Sequence, residues 1–199
     1  MASFPTHNNA FDRIFKFSLG DRYATTRVAL NLLSQLDSHS IVETGCMRTL
    51  DSIMEGNSTR IWGYFVRQYG GHVTTIDISD ENMAICRQAT EKYASHIDYI
   101  VGDSVEVLSK GIGRIDLLYL DSMDCPISGD ASRAQEHQLT ELKTAHRWLH
   151  DRSIVLLDDS AFANGGKTFL SKQWLEDNEW MCVLEMYQSL WIKKPNAIF

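Results

Sequence analysis

Two hydrophobic rhythms alternate along this chain. Short, nearly continuous apolar runs are separated by longer stretches in which apolar residues return every three to four positions. Runs of the first kind read as strands buried on both faces, the second as amphipathic helices. Helical spacing covers "ATTRVALNLLSQL", Ala24 to Leu36, and "SIVETG" follows as a short strand. "STRIWGYFVRQYGG" predicts a helix, with Ser58 as its cap and Gly70-Gly71 as its stop. "HVTTIDIS" is rich in β-branched residues and predicts a strand. The pairs continue as helix "ENMAICRQATEKYASH" and strand "IDYIVGD", then helix "SVEVLSKG" and strand "RIDLLYLD". A long helix, "ASRAQEHQLTELKTAHRWLH", precedes the strand "SIVLLDD". The helix "GKTFLSKQWLEDN" then leads to two closing strands, "WMCVLEMY" and "SLWIKK", near enough to form a hairpin.

Such alternation implies an α/β fold built on a mainly parallel sheet with helices on both faces. In sheets of this kind ligands bind outside the carboxyl ends of the strands, so polar residues at those ends carry the functional question. The length of 199 residues suits one domain, with 1–38 as an N-terminal helical or lid segment and 39–194 as the core. Phe4, Phe11, Phe15 and Phe17 in the first segment suit a lid, a surface helix or the face of a homodimer.

Charge narrows the partners. A net charge of −7 argues against nucleic acid, and no apolar run reaches the roughly 20 residues of a membrane span. Cys46, Cys86, Cys125 and Cys182 form no C-x-x-C pair, and no basic and apolar leader opens the chain. The expectation is a cytoplasmic protein with free thiols.

The strand ends are acidic. The first closes in "VETG", where Gly45 permits a tight turn or a close ligand, and the G-x-G-x-x-G fingerprint is absent. "CMRTLDSIME" enlarges the loop before "GNST". Asp77 ends the second strand about 20 residues after Gly56, the spacing at which an acid meets ribose hydroxyls. A solvated or helix-capping aspartate is the other reading. Asp103 and Ser104 end the third, suited to an adenine amino group and ring nitrogen or to capping the next helix. Asp121 ends the fourth strand and Asp158-Asp159 the fifth. Neighbouring strands lie about 4.8 Å apart, so these three carboxylates can meet at one hard cation such as Mg²⁺. The alternative is one helix cap with solvated neighbours.

In this order "VETG", "TTIDIS", "IVGDS" and "IDLLYLD" resemble the motifs of class I S-adenosylmethionine-dependent methyltransferases, over roughly Ile41 to Ile192. The resemblance implies a Rossmann-like, doubly wound, seven-stranded sheet with one antiparallel strand near the C-terminus. It implies that Glu43 and Gly45 line the methionine end of the cofactor, and Gly56 and Ser58 are further cofactor-binding candidates. Asp77 would meet the ribose and Asp103 with Ser104 the adenine, with Ile78 and Asp121 as further cofactor-binding candidates. "YLD" followed by "LLDDS" is similar to the metal-dependent O-methyltransferases of the catechol and macrolide-sugar types, which implies Asp121, Asp158 and Asp159 as metal ligands. Where relatives place a lysine or histidine base, this chain has Asp124, with His137 as a second candidate.

The expected activity is methyl transfer to a hydroxyl of a small polar acceptor, a sugar diol or a catechol-like compound, assisted by Mg²⁺. An RNA ribose 2′-O-methyltransferase built on Asp121, Lys167 and Glu185 is an alternative that the acidic charge disfavours. A non-catalytic cofactor-binding module is another. "LDSMDCP" lacks the signature that grips a flipped base.

Overall fold

A computed structural model of the protein describes residues 9–50 and 57–194. The strands are β1 (Ser40–Thr44), β2 (His72–Asp77), β3 (Ile97–Val101), β4 (Ile115–Leu120), β5 (Leu149–Leu157), β6 (Trp180–Glu185) and β7 (Ser189–Lys193). The helices are α1 (Asn9–Leu19), α2 (Tyr23–Leu33), α3 (Ser58–Tyr69), α4 (Asp80–Ala89), α5 (Ser104–Lys110), α6 (Ser132–Ala145) and α7 (Phe169–Asp177). All seven strands form one sheet in the order β3-β2-β1-β4-β5-β7-β6. Neighbours from β3 to β5 pair in parallel, while β7 runs antiparallel to both β5 and β6. The expected doubly wound sheet with one reversed strand is the fold observed.

Strand alternation assigns each residue to a layer. Ile41, Leu117, Tyr119, Ile154, Leu156 and Leu190 face a cluster shared with Phe11, Phe15, Leu30, Trp62 and Phe65. Val42, Leu118, Leu120, Val155, Leu157 and Trp191 face the opposite cluster, with Leu108, Leu142 and Leu175 from α5, α6 and α7. All six residues of β4 are buried, as its apolar run requires. Each fully buried Leu or Ile contributes roughly 1.5–3 kcal/mol of apolar transfer, so the central strands anchor the fold.

The N-terminal segment packs on the core. Phe11, Phe15 and Leu19, four apart, lie on the inner face of α1 and are buried. The Phe15 ring meets Tyr64 of α3 edge-on at 5.4 Å, and Phe17 is left in solvent. Phe4 lies outside the described residues.

Several element boundaries differ from the sequence pattern. Helix α4 stops at Ala89 rather than His96, with a 3-10 turn over Glu91–His96, and α3 begins at Ser58 itself, with Asn57 in the cap position. The long helix stops at Ala145 rather than His150, because β5 begins at Leu149, paired with Ile115. The register then slips across the polar "HDR", which lets His150 Nε2 reach the buried Asp116 at 2.9 Å. The last helix starts at Phe169 rather than Gly166, since Gly165 and Gly166 both have positive φ, which a helix excludes. Among the described residues no helix is long and apolar enough to cross a membrane. All four cysteines are free thiols.

Candidate active site at the carboxyl edge of the sheet

Backbone hydrogen bonds carry the sheet past its formal strand ends and align the acidic residues. Gly102 N donates to Asp77 O, Gly45 N to Ile76 O, Asp121 N to Thr44 O and Asp158 N to Leu120 O, at 2.8–3.2 Å. Gly45, Asp77, Asp103, Asp121 and Asp158 therefore share one edge. The strand order reverses direction between β1 and β4, where doubly wound sheets open a crevice. A cavity of about 890 Å³ lies there, lined by Gly45, Asp77, Ile78, Asp103, Ser104 and His137 among others.

The acids of the cavity are held before any ligand arrives. Asp77 Oδ2 accepts Cys46 N at 3.1 Å, and Oδ1 accepts Ser79 N at 2.8 Å and Asn82 Nδ2 at 3.3 Å. The carboxylate thus joins the first loop to the start of α4 and still borders the cavity. Asp103 caps α5 by accepting Glu106 N at 2.9 Å, and it lines the cavity too. Ser104 Oγ donates to buried Glu141 Oε1. Gly45 has φ +80°, and a Cβ there would sit 2.2 Å from Asp121 O. The close approach this glycine permits is strand end against strand end.

Glu43 is fully buried and does not line the cavity. Its oxygens accept Thr59 Oγ1 at 2.6 Å, Thr75 Oγ1 at 2.8 Å and Trp62 Nε1 at 3.1 Å. Burial pushes its carboxyl up to about 7 against these donors. Expected at the methionine end, Glu43 instead braces α3 against β1 and β2, beneath the loop that passes Met47. Ser58 belongs to the same brace, as another donor to Glu43, and borders a separate small recess. Gly56 lies outside the described residues.

Asp121, Asp158 and Asp159 converge as their strand ends predict, with one ligand oxygen of each within 4.8 Å of the others. The positive charge among them belongs to the protein. Lys167 Nζ lies 2.5 Å from Asp121 Oδ1 and 3.1 Å from Asp159 Oδ2. Arg22 grips Asp158 at two points, Nε to Oδ1 at 2.9 Å and Nη2 to Oδ2 at 2.6 Å. Gln188 Nε2 adds 2.8 Å to Asp158 Oδ1, Tyr119 OH donates to Asp121 Oδ2 at 3.0 Å, and Tyr187 OH to Asp159 Oδ1 at 2.6 Å. Every oxygen of the three carboxylates has a donor. The three residues expected to hold Mg²⁺ are thus brought together, and Lys167 Nζ lies between two of them. Burial and the Asp158 charge push the Asp121 carboxyl up to about 7, although Lys167 and Arg22 pull the other way. The Arg22 contacts hold Asp158 below the usual carboxylate range despite its burial.

A family profile described as a methyltransferase domain matches residues 53–160, which include Asp77, Asp103, Asp121, Asp158 and Asp159. The chain belongs to this methyltransferase family. Solved structures share its fold. The SAH-bound methyltransferase PaMTH1 of Podospora anserina superposes with a TM-score of 0.61 at 17% identity, covering 98% of this chain and 100% of that one. CalS11, the TDP-rhamnose 3′-O-methyltransferase of calicheamicin biosynthesis, gives 0.65 at 14% identity, covering 94% and 87%. The precorrin-6y C5,15-methyltransferase of Geobacter metallireducens gives 0.57 at 14% identity, covering 89% and 91%. No curated protein sequence matches the chain.

Within this methyltransferase both expected bases line the cavity. Asp124 has a side chain 79% exposed and pairs with Arg48 at 3.0 Å. His137 stands on the cavity wall with Asp103 and Ser104, its Nε2 3.1 Å from Ser122 Oγ and 3.4 Å from Glu141 Oε1. The hydrogen bond and charge of Glu141 raise its pKa above the ordinary value. Glu185, named for the RNA scheme, pairs with Lys172 at 2.5 Å on β6, leaving only Lys167 beside Asp121.

Sequence reasoning missed Arg22, Tyr187 and Gln188, and attached Lys167 only to the RNA alternative. Arg22 sits on the short turn between α1 and α2, and Tyr187 and Gln188 on the β6–β7 turn. The one local signal is "NGGK": Gly166 (φ +61°) brings the chain so near Asp159 O that a Cβ would lie 1.7 Å from it. A turn that tight returns the next side chain, Lys167, toward the strand end.

Proposed function

We propose that this methyltransferase transfers a methyl group from S-adenosylmethionine to a hydroxyl of a small polar acceptor, such as a sugar diol or catechol-like compound, with Asp121 as the proton acceptor. The observation that carries this reading is an adjacency: the cavity bordered by Asp77, Asp103 and Ser104 is also lined by Ser122 and Met123, the two residues that follow Asp121 of the carboxylate cluster. Asp121 is the most open of the three acids, its side chain 25% exposed against 0% for Asp158 and 12% for Asp159. The fold likeness to SAH-bound PaMTH1 and to the sugar O-methyltransferase CalS11 supports the cofactor and the acceptor class.

Asp77 would accept from the ribose hydroxyls, and Asp103 from the adenine amino group. When bound, S-adenosylmethionine would supply a sulfonium-activated methyl group, which the acceptor oxygen would take as the carbon–sulfur bond gave its electron pair back to sulfur. The hydroxyl proton passes to Asp121. Alignment supplies most of the acceleration, since the methyl donor is already activated by its sulfonium charge. The net charge of −7 favours a small acceptor over RNA.

Calorimetry with S-adenosylmethionine, followed by a homocysteine-release assay over a panel of polyols, sugars and catechols, tests the reading. We expect cofactor binding without acceptor, and turnover that Asp121→Asn lowers at least tenfold. A folded protein that does not bind the cofactor, or an Asp121→Asn variant with full turnover, overturns it.

A further inference from the structure

We propose that Lys167 is a built-in cation: its ammonium takes the place that a divalent metal would fill between Asp121 and Asp159, and the enzyme transfers methyl groups without a metal. This deepens the hydroxyl-transfer reading and rests on it for the catalytic part alone.

Lys167 is buried, its side chain 2% exposed. A lysine carries its charge out of water only where paired, and here it touches two carboxylates and, at 3.3 Å, Met123 O. The two acids it touches belong to the three that each offer a ligand oxygen within 4.8 Å of the others. An ammonium and a metal ion cannot share that space. Arg22 adds the second charge on Asp158, so three carboxylates meet two fixed cations. Both cations lie outside residues 53–160, the segment that matches the family, so the acids belong to the shared segment and the charges that neutralise them do not.

The loop is built to hold the lysine in place. Gln135 Nε2 on α6 donates to Gly166 O at 2.9 Å, and Asn164 Nδ2 donates to Pro126 O at 3.0 Å and Gly129 O at 3.2 Å. Asn164 Oδ1 accepts Gly166 N at 3.1 Å. Lys167 is therefore fixed from its backbone outward, as a permanent charge should be. Beside the most exposed acid of the cluster, the ammonium can hold the acceptor oxygen and stabilise the negative charge that grows on it as the proton leaves. The nitrogen keeps its protons throughout, and the transferred proton goes to Asp121.

Manganese serves as the probe, read by electron paramagnetic resonance of the free ion. The full-length wild type should bind no Mn²⁺ at this cluster, and its turnover should stay within twofold in excess chelator. Lys167→Ala, which vacates the space and leaves three carboxylates, should bind one Mn²⁺ at least tenfold more tightly than the wild type. Lys167→Gln, close in length and uncharged, carries the same comparison if the alanine variant fails to fold. Wild-type binding as tight as that of the variants, chelator-sensitive turnover restored by Mg²⁺, or no gain in either folded variant each overturns the proposal. The Mn²⁺ readout needs no methyl transfer, so it stands apart from a failure to bind S-adenosylmethionine, which would overturn the functional reading alone.

Discussion

Arg22 and Asp158, separated by 136 positions in the chain, form a two-point ion pair in which the carboxylate is completely buried. The Tyr187 ring covers the guanidinium at 4.4 Å. This pair fastens the N-terminal helices to the end of β5, so the segment before the core is part of the site's support.

Removing one partner should cost more than removing both. Arg22→Ala leaves Asp158 charged and buried, and should destabilise the protein by about 3–5 kcal/mol. Adding Asp158→Asn should recover much of that loss, because the uncompensated charge goes. Urea unfolding of the two single variants and the double variant measures the difference. Strictly additive losses would show that the pair does not act as a unit.

Asp77 faces the cavity with a carboxylate already oriented by Cys46 N and Ser79 N. Asp77→Ala should weaken S-adenosylmethionine by about 1.5–3 kcal/mol, the range for a hydrogen bond to a charged group. Calorimetry reads this directly, with circular dichroism to show that the loop and α4 survive. Equal affinity in a folded variant would remove Asp77 from the cofactor site.

Glu43 should make stability depend on pH. Unfolded, it ionises near 4.5; folded, burial lifts it to about 7. Between those values the folded chain keeps a proton that the unfolded chain has lost. Its contribution is therefore complete below the lower value and lost as pH rises through the upper one. Glu43→Gln should be less sensitive, and its stability relative to wild type should rise by roughly 2–4 kcal/mol from pH 4.5 to 7.5. Urea titrations at several pH values check the sign. A flat difference would mean that Glu43 is ionised as readily in the fold as out of it.

Gly166→Ala tests how the lysine is delivered. The left-handed backbone costs about 1–2 kcal/mol for a residue with a side chain, before the clash with Asp159 O is counted. The variant should lose stability by at least that amount, and turnover should fall with it as Lys167 shifts. Gly129→Ala, also at positive φ but with nothing within 4 Å, should lose only the backbone part. Matching losses at both glycines would deny that close approach matters at Gly166.

Periodicity was enough for the α/β class and the mainly parallel sheet, and the motif resemblance for its seven strands with one reversed. Buried strands alternating with amphipathic helices leave few ways to wind a sheet, and the carboxyl ends "VETG", "TTID", "VGDS", "YLD" and "LLDD" lie at one edge because parallel strands put them there. Boundaries were less legible where polar residues hide in pairing, as in the slipped register at His150.

What those ends do was decided in three dimensions. The sequence determined that three aspartates meet, since each closes a strand whose neighbour is set by the winding. It could not determine what neutralises them. Two charges reach the cluster from turns, Arg22 before α2 and Lys167 before α7, and two neutral donors come from the β6–β7 turn. Turn residues follow no hydrophobic period, and their targets lie up to 136 positions away. Only packing decides that a lysine nitrogen reaches the gap, because any positive charge satisfies the same carboxylates.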